Sequence, residues 1–241
     1  MVSNRRLDPF ESARTIGLVV ITLVAIGMML DAAAVGVGLS QASLLSDIAA
    51  RRPFAQVDAE ASDARVRLVA ILNFLVFIVT GIVFLVWIHR AHKNLTSFGV
   101  SGLEYSPRWA VGGFFVPFLN LIRPFQVTRE IWKASNPHPD YVNAMAWQYS
   151  ASSPLIGAWW GTWILSGVLG RLVATFSRDA KTADSLLSLT YFSIVSDIVN
   201  LIPAVLVILL IRAINERQEQ KHERMKSFWE QRSIEAEQAA G

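Results

Sequence analysis

Twenty-one residues, Leu68 to Ile88, pass without a charge and with only Asn73, Thr80 and Gly81 interrupting the apolar run. A helix needs roughly 20 apolar residues to cross a bilayer's hydrocarbon core. Helices and closed barrels are the only structures that satisfy every backbone polar group there. Leu155–Phe176 and Leu186–Ile211 are also long apolar runs, each with one charge, Arg171 and Asp197, and an apolar run from Ile16 to Leu30 resumes after Asp31 as far as Leu39. The chain is 53% hydrophobic and 17% charged, too apolar for an ordinary soluble domain. These features predict an all-α integral membrane protein, a single membrane domain over 1–241 with four transmembrane helices at 15–39, 68–88, 155–176 and 186–211. Between the first two lies a polar extracytoplasmic segment, 40–67, in which Pro53 divides two helical pieces. A charged helical tail, 212–241, carries a stripe of Met225, Phe228 and Trp229.

The start of the chain admits a second reading. Asn4-Arg5-Arg6 before a short apolar core and Ala32-Ala33-Ala34 has the pattern of a cleaved signal peptide. Because apolar residues continue through Leu39, a retained first span is expected.

Between the second and third spans, residues 89–135 form a motif of a different kind. Trp109–Ile122 is uncharged for about 14 residues, short of the roughly 20 a span requires. Pro107, Pro117 and Pro124 punctuate it, and each removes a backbone donor and clashes with the preceding helical turn. Broken backbone at membrane depth is tolerated only where protein or a water-filled cavity satisfies it. Residues 107–125 are therefore expected to form a re-entrant or interfacial element on the cytoplasmic side.

The order of Trp87-x-x-Arg90-Ala91-x-x-Asn94, Gly99, Ser106-Pro107-x-Trp109-Ala110-Val111-Gly112, Phe115-x-Pro117, Asn120-Leu121, Pro124 and Arg129-Glu130-Ile131-Trp132 resembles the domain-of-unknown-function 4328 family of bacterial, mainly actinobacterial, membrane proteins. The resemblance implies a helical membrane fold and no established activity.

Orientation follows from the bias of Lys and Arg toward the cytoplasm. With four spans, the N-terminus, the motif and the tail share one side and hold fifteen of the 22 Lys and Arg, leaving seven elsewhere: Arg51, Arg52, Arg65, Arg67, Arg171, Arg178 and Lys181. Both termini are thus expected to face the cytoplasm of a bacterium, with the protein in its inner membrane. A net charge of +3 without a basic cluster interleaved with aromatics gives no nucleic-acid signal. The absence of cysteine excludes disulfides, thiol catalysis and thiolate metal sites.

Two constellations stand out. Trp87, Arg90, Ala91 and Asn94 share one helical face. They are expected to meet the broken segment, where Arg123, Arg129 and Glu130 would join them around an anionic headgroup or, more simply, where Arg90 would pair with Glu130 and Asn94 would cap backbone freed by the prolines. Trp87, Pro107, Trp109, Pro117, Asn120, Pro124 and Trp132 complete the motif as structural residues. Within the bilayer, Ser193, Asp197 and Asn200 share a face of the fourth span, and a charge at such depth usually pairs. Arg171 on the third span is the expected partner of Asp197. His89, His92, His138 and Asp140 lack zinc-type spacing, so neither metal nor cofactor is expected.

No catalytic motif is present. The expected function is a non-catalytic integral membrane module whose cytoplasmic-side motif binds a partner protein or anionic lipid, with the bilayer and a homo-oligomer as further partners. The alternatives are an enzyme acting on a lipid or lipid-linked phosphate, with Arg90, Arg123 and Arg129 as a clamp, and a small channel or carrier using Arg171 and Asp197.

Overall fold

The computed structural model describes residues 9–138 and 145–240, so Asn4, Arg5, Arg6, Asp140 and Tyr141 lie outside the described residues, as does the side chain of Trp229. The described residues form six α-helices and no strand: α1 Arg14–Ala49, α2 Gln56–Ser97, α3 Pro107–Gly112, α4 Arg123–Ala134, α5 Pro154–Asp179 and α6 Ala183–Ala240.

Helices α1 and α2 extend well past their apolar stretches, so most of the polar segment at 40–67 is helical. The break between them falls at 50–55, where Arg51 takes a left-handed φ of 56° and Pro53 follows. The C-terminus of α2 is closed by Gly99, whose φ of 66° is cheap only for glycine. Its N–H bonds the Thr96 carbonyl and the Val100 N–H bonds that of Leu95, the paired capping pattern that ends many helices.

The stretch around the three prolines makes no long helix. Ser106 caps α3 by accepting from the Trp109 N–H, Pro107 occupies the first turn, and α3 stops after six residues. The chain then turns through Pro117 and Phe118, which has a φ of 64°, into a three-residue 3-10 turn at Leu119–Leu121. Pro124 sits in the first turn of α4, where a missing N–H costs least. No helix in 107–122 approaches the length of a span.

Three helices are long and apolar enough to cross a membrane: α1, α2 and α6. Helix α5 has 26 residues, but its tryptophans, glycines and Arg171 lower its mean hydropathy. Helix α6 continues without interruption from the expected fourth span into the tail, with Pro203 inside it.

The chain divides into two compact units, residues 1–20, 83–157 and 209–241 in one and 21–82 and 158–208 in the other. The first has a conventional core, with Trp87, Ile88, Leu95, Ile131, Ile156 and Ile214 all fully buried. The second turns large apolar side chains outward. Along α2 alone, Leu68, Ile71, Phe74, Leu75, Phe77 and Ile78 are each at least 43% exposed. A contiguous apolar surface of that kind marks an interaction face, and a spanning helix turns such a face to lipid.

Candidate functional site

In the first unit, the face of α2 bearing Trp87, Ala91 and Asn94 packs on α6. The Trp87 indole N–H donates to Asn215 Oδ1 at 2.9 Å, and Gln218 Nε2 donates to the Ala91 carbonyl at 2.7 Å. Asn94 Nδ2 donates to Gln218 Oε1 at 3.0 Å and to the Glu11 carbonyl at 2.9 Å. Asn94 therefore satisfies the backbone ahead of α1, correcting the expectation that it caps groups freed by the prolines. Arg90 lies one helical turn before Asn94 and forms its ion pair with Glu11.

The expected Arg90–Glu130 pair is accordingly not formed, and the reason is helical geometry. Residues two apart on a helix point about 200° apart at 3.6 residues per turn, so His92 faces α4 when Arg90 faces the N-terminal segment. His92 Nε2 lies 2.9 Å from Glu130 Oε2, with the two side chains 0% and 4% exposed. An ionised carboxylate only accepts, so the tautomer with the proton on Nε2 is the one that completes this bond. Glu130 Oε1 accepts the Glu104 N–H, which ties the strand of chain before α3 to α4.

Arg123, Arg129 and Trp132 each make a ring contact. The Arg123 guanidinium stacks on Tyr105, 4.5 Å from its centroid, and Arg129 lies 5.5 Å from the Phe125 centroid. Burial and the adjacent Glu104 carboxylate push the Tyr105 phenol above its ordinary pKa. Trp132 lies 4.3 Å beneath the Arg217 guanidinium, whose pKa burial pulls down. Trp109 and Asn120 are exposed.

A cavity of about 320 Å³ opens against α4, lined by Arg129, Glu130 and Lys133 of that helix and by Glu104, Trp147 and Gln148. Of the five residues expected around a headgroup, only Arg129 and Glu130 reach it. Arg90 is taken by Glu11, Asn94 belongs to the contact with α6, and Arg123 stacks on Tyr105.

A model of the family described as Domain of unknown function (DUF4328) matches residues 50–216. The chain belongs to that family. No curated protein and no solved structure matches it. The DUF4328 region contains the Trp87–Asn215 bond, the His92–Glu130 pair and the whole cavity. Glu11, Gln218 and Lys221 lie outside it.

In the second unit Arg171 is exposed and makes no ion pair with Asp197, which overturns the expected pairing. The polar contacts there converge on Asp31 instead. Asn200 Nδ2 donates to Asp31 Oδ2 at 3.0 Å. Asp197 lies close enough to Asp31 for their charges to interact, and Ser193 is half-buried one turn before it. An arginine can leave the helix surface on its long stem, whereas a short carboxylate stays where its helix puts it.

The residues that sequence reasoning passed over are Asp31, Glu11, Asn215, Gln218 and Lys221. A signal existed for three of them, because Ile211, Ile214, Asn215, Gln218 and Lys221 follow the spacing of a buried helical face. Lys221 is 4% exposed and donates to the Ala134 carbonyl at 2.7 Å. Burial, with Arg217 nearby, lowers its pKa to about 8 from 10.5. Between those values the unfolded chain binds a proton that the folded chain does not, so this group makes stability rise with pH across that window. The expected result is a melting temperature that climbs from pH 8 toward pH 10 in detergent, with a shallower climb in Lys221→Met. An unchanged pH profile in that variant would dismiss Lys221 as the cause.

Proposed function

We propose that the protein is a non-catalytic, four-span module of the bacterial cytoplasmic membrane, with both termini in the cytoplasm and its 107–125 element re-entering or lying in the inner leaflet's interface, where it engages lipid phosphate groups. The observation that carries this reading is the outward apolar row on broken backbone. Trp109, Phe115, Phe118, Leu121 and Ile122 are exposed at 62, 71, 82, 48 and 54%, on a segment whose longest helix has six residues. In water such a row is costly, at about 25 cal/mol per Å² of apolar surface. At the headgroup level aromatic side chains are at home. Arg108, exposed beside Trp109, supplies a cation of the kind that attracts anionic lipid. Helix α5 serves as the third span in this arrangement, with the exposed Trp163 near one end as an interfacial anchor.

The natural absence of cysteine makes the test direct. Ser106→Cys and His138→Cys flank the element, and both are expected to react with a membrane-impermeant maleimide from the cytoplasmic side of oriented vesicles. Ala50→Cys is expected to react from the other side. If the cysteines at 106 and 138 react from opposite faces, the segment crosses and this reading falls.

A further inference from the structure

The cavity beside α4 has a charge pattern that selects a ligand. Arg129 and Lys133 are four apart and share a face of α4. Neither forms an ion pair with a carboxylate among the described residues. Arg129 is steadied by the Phe125 ring, which leaves its N–H groups available, and Lys133 spends one donor on the Gln148 carbonyl. Of the two carboxylates at the cavity, Glu130 is occupied by His92 and the Glu104 N–H. Glu104 is exposed and, among the described residues, accepts the Tyr105 hydroxyl alone, on Oε2. The lining thus offers two cations from α4 and one spare carboxylate oxygen from the segment before α3.

We infer that this cavity binds a phosphoethanolamine-type zwitterion, its phosphate between Arg129 and Lys133 and its ammonium at Glu104. An arginine fork and a lysine suit a phosphate, the first by paired hydrogen bonds and the second as a point charge. The buried indole of Trp147 adds an aromatic surface at the cavity wall, which favours a neighbouring ammonium. At about 320 Å³ the cavity is at the small end of ligand sites, suited to a headgroup without its acyl chains. The inference rests on the lipid-facing reading above and gives it a headgroup class.

The test titrates the full chain in nanodiscs with O-phosphoethanolamine, inorganic phosphate and ethanolamine, reading intrinsic tryptophan fluorescence and thermal shift. O-phosphoethanolamine is expected to bind most tightly. Arg129→Gln and Lys133→Gln should each weaken it at least about tenfold, the loss of one charged hydrogen-bonding partner. Glu104→Gln should weaken O-phosphoethanolamine while leaving inorganic phosphate unchanged. Melting without ligand shows whether each variant folds, and Arg129→Lys, which keeps the charge, should recover part of the affinity. The source is decided by running the titration in discs of phosphatidylethanolamine and of phosphatidylglycerol. Apparent affinity for the soluble compound that is weaker in the first shows the lipid headgroup competing for the site, and equal affinity assigns the free metabolite. No O-phosphoethanolamine binding, or binding equal to that of phosphate and indifferent to Glu104→Gln, overturns the proposal. Such a failure with the labelling pattern intact removes the site alone, whereas cysteines at 106 and 138 on opposite faces remove the membrane reading itself.

Discussion

Glu130→Ala is expected to destabilise the protein by about 2–5 kcal/mol, because two donors that Glu130 now satisfies would lose their acceptor, at about 1–3 kcal/mol each. His92, 0% exposed, would lose the acceptor for its Nε2–H, and its Nδ1 already has no partner among the described residues. The Glu104 N–H would be orphaned at the same time, since Glu130 Oε1 is its acceptor. Glu130→Gln separates these effects. Its carbonyl oxygen still accepts from Glu104, and its amide can donate to the other imidazole tautomer, so a loss nearer about 1 kcal/mol is expected from exchanging hydrogen bonds without orphaning a group. His92→Leu combined with Glu130→Leu should be less damaging than Glu130→Ala alone, because the imidazole is no longer stranded and only the Glu104 N–H loses its acceptor. Melting curves of the three variants and the parent in one detergent decide the matter. Equal melting of Glu130→Ala and the parent would mean that the pair does not hold α2 to α4.

How much of this was legible beforehand varied with the kind of signal. Apolar run length located the long helices, because lipid imposes that length on any helix that crosses it. The spaced prolines located the break, because a missing N–H acts locally whatever the tertiary context. The i, i+3, i+4, i+7 pattern put Trp87, Arg90, Ala91 and Asn94 on one face but carried no information about what the face would meet. It meets α6 through Asn215 and Gln218, more than a hundred residues away in sequence, and nothing in a local pattern encodes that distance.

The polar pairing in the second unit failed for a related reason. Arg171 and Asp197 invite pairing by opposite charge, and a short connector makes their helices plausible neighbours. Asp31 was concealed by its setting, between an apolar run and an alanine triplet that reads as a processing site. Its carboxylate takes a hydrogen bond from Asn200 of α6. Carboxamides satisfy a carboxylate by donating hydrogen bonds without neutralising it, so a search for opposite charges does not find them. The same gap hid the stripe of Asn215, Gln218 and Lys221: as tail residues after a span they read as solvated polar positions, yet their spacing continues the buried face of Ile211 and Ile214.

That stripe begins at the bond with the second large expected effect. Trp87 is fully buried and anchors α2 to Asn215 of α6. Trp87→Ala should cost about 3–5 kcal/mol from the cavity alone, with a further contribution from the stranded Asn215 carboxamide. Room for collapse is limited because α1 also closes on the same point. A Cβ on Gly17 would overlap the Asn215 amide, touch Ile211 and stand 3.2 Å from the Trp87 indole nitrogen, so glycine is what lets the helix backbone come this near. Trp87→Phe keeps most of the ring and deletes the N–H donor, and it should cost about 1–3 kcal/mol by leaving the buried Asn215 oxygen unpaired. Adding Asn215→Leu to Trp87→Phe removes the unpaired group and should restore part of that loss, whereas Asn215→Leu alone strands the indole N–H and should destabilise. The double-mutant cycle therefore has a defined sign, with the two single losses summing to more than the loss of the pair. Strict additivity of the two substitutions in detergent melts would show that the indole and the carboxamide act independently, and the packing of α2 on α6 would then owe nothing to their bond.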